Sequence, residues 1–151
     1  LREQVSIRDL GTILEVMVET APVSKNPVVQ VEAVRHALGR ALVHPLLDET
    51  GALKVVTIEP SLEEECSRAL NLQGQSASLG GMQMSVARKV LDALRSSFGE
   101  DIMTAPPVLL CASPGRFYLR RVLEPFLPKV VVLAPTEIPP IVPVQAVGYV
   151  R

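Results

Sequence analysis

The chain has 151 residues, close to one domain's length, with 48% hydrophobic and 21% charged residues, a composition that excludes an intrinsically disordered chain. Its net charge is −1, and aromatic residues make up 3% with no Trp. There is therefore no whole-chain basic field for nucleic acid or an anionic membrane, and few platforms for base stacking.

Leu1-Arg2-Glu3-Gln4 reads as the tail of an element that starts upstream, so the chain is expected to be a fragment. A first helix is predicted from Ser6. Ser6 and Asp9 form an S-x-x-D start, in which the hydroxyl caps an amide and the carboxylate favours the positive helix end. Ile7, Leu10, Ile13, Leu14 and Met17 recur at helical spacing, and Pro22 ends the helix. Asn26-Pro27 opens a second helix, with Pro at the first helical position. Val31, Val34, Leu38 and Leu42 form its stripe, and Pro45 ends it. The two make an αα-hairpin.

The period then changes. Residues 53–59 are rich in β-branched side chains between Gly51 and Pro60, which predicts a strand. Ser61 with Glu64 reads as a capping box opening a helix to about Leu72. Residues 73–81 read as a Gly/Ser/Gln loop, and a helix follows over 82–98. Residues 107–111 read as a buried strand, and Ser113-Pro114 as a further helix start with Leu119, Val122, Leu123 and Phe126 as its stripe. Residues 129–134 are nearly all apolar, a strand covered on both faces. Residues 142–150 supply a last strand, whose Pro143 argues for a sheet edge. The expected fold is α+α/β. A helical hairpin subdomain, 1–48, precedes a small α/β subdomain, 52–151, with a mixed, mostly parallel sheet.

Charge is uneven. Residues 1–105 carry ten Lys/Arg and fourteen Asp/Glu, whereas 106–151 carry five and two, so the C-terminal third is mildly basic. The longest apolar stretches, 130–135 and 138–144, are far short of the ~20 residues of a membrane span. Cys66 and Cys111 form no CxxC and read as buried, reduced thiols in a reducing compartment. His36 and His44 share no motif with Cys or carboxylates, so no metal site is expected. Glu63-Glu64-Glu65 sits in a first helical turn, where the helix dipole accounts for it.

The sharpest chemical candidate is Ala112-Ser113-Pro114-Gly115-Arg116, after a strand and opening a helix. In parallel α/β sheets ligands bind at such strand ends, and Ser113, free amides and Arg116 could hold an anion there. A Ser-Pro helix start equally needs no ligand. The dinucleotide and Walker glycine patterns are absent, as is any Ser/His/Asp grouping. The residues thus read as a non-enzymatic module without a cofactor, with a small α/β enzyme or anion-binding domain at Ser113 and Arg116 as the alternative.

Several phrases carry a family resemblance. Val5-Ser6-Ile7-Arg8-Asp9-Leu10, followed by Thr12-Ile13-Leu14-Glu15, resembles the opening of a subdomain of the FHIPEP export-gate family. This family comprises the flagellar FlhA proteins and their injectisome relatives in type III secretion. Val34-Arg35 with Leu38-Gly39-Arg40 is similar to its next helix. Leu119-Arg120-Arg121-Val122-Leu123-Glu124, Leu127-Pro128, Val131-Val132-Leu133, Glu137-Ile138-Pro139-Pro140 and Val147-Gly148 resemble its C-terminal subdomain, in the same order. The resemblance implies a parent with upstream transmembrane helices in the bacterial inner membrane and a cytoplasmic domain of four subdomains, of which this chain covers the last two. It implies a nine-membered ring, and protein partners: export substrates, chaperones and other export-apparatus components. It also implies subunit or subdomain contacts at Arg8, Asp9, Arg35 and Arg40. For Arg8 and Asp9, helix capping with solvation is the competing reading.

Overall fold

The computed structural model describes residues 1, 3–71, 79–99, 106–113 and 115–151. The chain divides into two compact units: Leu1–Leu53 with Pro135–Pro143, and Lys54–Ala134 with Val144–Arg151.

The first unit is helical. Helix α1 spans Leu10–Thr20, not residues from Ser6. Asp9 is its cap, accepting from the Thr12 N–H at 3.2 Å and the Thr12 hydroxyl at 2.7 Å. Ser6 serves only a local turn, accepting from the Arg8 N–H. Helix α2, Pro27–Ala37, begins as expected at Asn26, whose side chain accepts from the Val28 N–H. The predicted continuation past Leu38 is broken: α3 restarts at Gly39–Val43, and a 3-10 turn follows at His44–Leu46. The glycine at the restart has a steric reason. A Cβ at Gly39 would collide with the Glu137 carbonyl, so only glycine lets that backbone approach. Asp48 then gathers the Thr50 and Ala52 N–H groups on one carboxylate oxygen, with Gly51 at φ +79°, and turns the chain into the first strand.

The second unit contains a four-stranded sheet in the order β3-β2-β1-β4, formed by Leu53–Ile58, Val108–Leu110, Val131–Leu133 and Val144–Val150 as β1 to β4. β1 and β3 both pair with β2 in parallel, with Val56 opposite Leu109 and Leu109 opposite Val132. β4 is an edge, as expected, with Pro143 just before it. The Leu53 N–H bonds to Pro143 and the Glu59 N–H to Val150, a parallel pairing that fits seven residue steps of β4 against six of β1. The extra residue is a bulge. The sheet is therefore parallel, in line with the mostly parallel sheet expected.

Three helices build the core of this unit: α4 Pro60–Asn71, α5 Leu79–Phe98 and α6 Gly115–Leu123. α4 begins at Pro60, and the Leu62 and Glu63 N–H groups reach the Glu59 carbonyl, so Ser61 lies inside the helix rather than capping it. Proline suits the first helical position and shifts the start by one residue. α5 begins at Leu79, so the last three residues of the expected loop are helical; residues 73–78 lie outside the described residues. Leu62, Cys66, Val86, Val90, Leu94, Leu119, Val122 and Leu123 from these helices meet Val56, Ile58, Leu109, Val132 and Val150 from the strands. Two glycines permit close packing. A Cβ at Gly115 would lie 2.9 Å from the Ser67 hydroxyl of α4, and one at Gly148 would strike Ser97 of α5.

Candidate functional site

The first unit carries an apolar surface that its own residues leave uncovered. No residue of α1 is buried. Leu10 and Leu14 are 54% and 53% exposed, Val18 is 73% exposed, and Ile7 and Met17 are also exposed. The predicted stripe is thus present as a face, although α1 packs on α2. Arg8 and Asp9 stand exposed at its N-terminal end. The Thr12 hydroxyl and N–H hold the Asp9 carboxyl below its ordinary value of 3.8. Arg40 is exposed on α3.

Arg35 is placed differently. It is 5% exposed, and its guanidinium is shared by two carboxylates. Nε and Nη2 donate to the two oxygens of Glu137 at 2.7 and 3.1 Å, and Nη1 donates to Glu3 at 2.7 Å. Glu137 is itself 2% exposed, in a 3-10 turn at Pro135–Glu137. Beside it, His36 Nδ1 lies 2.9 Å from the Thr136 carbonyl, so that nitrogen carries the proton of this bond. The fork binds the Pro135–Pro143 segment to α2, while Glu3 brings in the N-terminal segment. The division at 1–48 and 52–151 assigns that segment to the α/β part; the ion pair explains why it belongs to the helical unit. These polar contacts of Arg35 lie within this unit. Sequence reasoning gives Glu137 no role beyond its place in the Glu137-Ile138-Pro139-Pro140 phrase. Its signal is an ionisable group inside a proline-rich apolar run.

The strand-end corner is the alternative anion site read from the sequence. Ser113 is exposed in a turn, and Pro114 lies outside the described residues. Arg116 is fully buried and donates to the Val132 carbonyl at 3.4 Å. The Ala112 N–H is taken by the Glu63 carboxylate at 2.9 Å. The chain supplies its own anion there. Glu64 pairs with Arg68 at 2.8 Å on the surface. Cys66 and Cys111 are free and buried. Burial, with Glu65 and Glu63 nearby, pushes the Cys66 thiol up to about 12, which keeps it unreactive near neutral pH. Among the described residues no three His, Cys, Asp or Glu side chains group as a metal site, and no helix is long and apolar enough to cross a membrane.

These features meet their relatives through the family signature, whose profile for FHIPEP matches residues 1–143. The chain belongs to the FHIPEP family. A curated member, the flagellar biosynthesis protein FlhA of Yersinia enterocolitica, is 37% identical over 139 residues, which is 91% of this chain and 19% of that protein. The chain spans about a fifth of the length of the curated FHIPEP relatives it matches. Among solved structures, the CdsV protein of Chlamydia pneumoniae is similar with a TM-score of 0.78 at 29% identity, over 99% of this chain and 43% of that one. CdsV in complex with CdsO gives 0.77 at 27%, over 99% and 44%. The nonameric cytosolic domain of EscV from a type III secretion system gives 0.74 at 28%, also over 99% and 44%. The α+α/β fold is thus that of FHIPEP C-terminal domains.

Proposed function

We propose that this chain is the C-terminal cytoplasmic part of a type III, flagellar-type protein export gate. It acts there as a non-enzymatic module that forms a ring and docks export substrates and chaperones. The observation that carries the reading is α1, a helix with no buried residue and an apolar face open to solvent. Contiguous exposed apolar patches on soluble chains mark interaction sites. The EscV domain is nonameric, so a second copy of the chain is the proposed cover, with Arg8, Asp9 and Arg40 as its polar rim. The parent is placed at the cytoplasmic face of the inner membrane, held there by segments outside this chain. Other export-apparatus components are further partners, as CdsO is for CdsV.

Sedimentation velocity over a hundredfold concentration range tests this. The wild-type chain is expected to self-associate with increasing concentration. Leu14→Glu, which sets a charge in the middle of the face, is expected to weaken that association at least tenfold without lowering helix content. A wild-type chain that stays monomeric throughout the range refutes the assignment of this face.

A further inference from the structure

β3 closes one side of the sheet, with β2 as its neighbour. Its backbone alternates in direction. The Val131 N–H reaches Pro107, and the Leu133 carbonyl accepts from the Cys111 N–H, both at 2.9 Å toward β2. The residues that alternate with them, Val130 and Val132, therefore aim their carbonyls away from β2, out of the sheet. An outward row of this kind is a template for another strand.

Helix α6 covers that row with arginine. Arg120 donates to the Val130 carbonyl at 3.0 Å through Nη1 and to the Pro128 carbonyl at 3.2 Å through Nη2. Arg116 donates to the Val132 carbonyl at 3.4 Å. The two repeats match. Four helical residues advance about 6 Å, and two strand residues advance about 6.6 Å. Residues four apart on a helix share a face, so one helical turn serves successive outward carbonyls. Both arginines are buried, Arg116 completely. A guanidinium has only donors, so it occupies each carbonyl and offers an incoming strand no acceptor in return.

We propose that Arg116 and Arg120 seal the outer edge of β3 against strand addition by a second copy of the chain. The opposite edge is protected by other means, since β4 follows Pro143 and carries a bulge. The seal goes beyond the docking role of α1: it keeps association on the helical face and off the sheet.

The test compares Arg120→Leu and Arg116→Leu, each in the wild-type and the Leu14→Glu background. Leucine retains apolar bulk and removes the donors. Association through α1 is lost with Leu14→Glu; association through β3 persists there, which separates failure of the two proposals. Sedimentation velocity and the infrared band of intermolecular β-sheet are the readouts. Arg120→Leu is expected to associate at least tenfold more tightly than its parent and to gain the intermolecular band. Arg116→Leu, with the longer bond, is expected to show a smaller shift. A folded variant at position 120 that sediments like its parent overturns the proposal. Loss of cooperative unfolding in both variants also overturns it, because the arginines would then be core supports rather than a cover.

Discussion

Removal of the Glu137 carboxylate is the perturbation whose size the structure determines best. Glu137→Gln keeps the volume but ends the forked ion pair, leaving Arg35 buried with Glu3 as a counter-charge at 2.7 Å. Breaking a buried pair from one side costs about 3–5 kcal/mol, chiefly because a charge is stranded away from water. Glu3 is more exposed than Glu137 and offsets part of that, which places the cost near 3 kcal/mol, the low end of the range. For a chain of this length each kcal/mol moves the melting temperature by roughly 2–4 °C, so a fall of about 6–12 °C is expected. Replacing both members, as Arg35→Met with Glu137→Leu, removes the stranded charge and is expected to recover most of the loss. Urea unfolding followed by far-UV circular dichroism measures each variant. Hydrogen exchange at the Ile138 and Val142 amides reports the Pro135–Pro143 segment directly. A double variant as unstable as the sum of the two single ones would show that the residues are not coupled, and would refute the reasoning.

Gly39→Ala is expected to destabilise by about 1–3 kcal/mol although alanine is the better helix former, because the new methyl meets the Glu137 backbone, which cannot rotate aside. A rise in urea midpoint would show that the approach is loose. Asp9 makes α1 acid-sensitive. Its folded pKa lies below 3.8, so its contribution is complete above about pH 5 and is lost as pH falls through the folded value. The Thr12 amide shift, followed by NMR from pH 6 to 2, should titrate with a midpoint below 3.8; Asp9→Asn should abolish that titration.

Much of the fold is readable because period and punctuation agree. Asn26-Pro27, the β-branched run after Gly51, and the late prolines each name an element that the structure contains. Errors cluster where two local signals compete. Ser6 and Asp9 both suit a cap, and the nearby Thr12 decides for Asp9. Ser61 looks like a cap until Pro60 takes the first helical position. The apolar face of α1 is visible in the spacing, but whether it is covered is a tertiary matter. The buried charges are the least readable part. Arg35, Arg116, Arg120 and Glu137 resemble surface residues by type, and their partners lie elsewhere in the chain. Arg35 and Glu137 are 102 positions apart, so no window of local sequence contains both.

That separation also bears on how the protein is made. Within this stretch α1 to α3 are made before the sheet, and Glu137, which pairs with Arg35 of α2, arrives after the strands and helices up to β3. Until Glu137 arrives, Arg35 has only Glu3 among these two carboxylates, and the helices cannot reach their final packing. The first unit to begin is therefore not the first to finish. Helices α1 to α3 wait in a partly formed state, without the Pro135–Pro143 segment that packs on α2 and α3, while the strands of the sheet are made. A chain stopped before residue 135 would expose this waiting state permanently, and aggregation of truncated products is its expected fate.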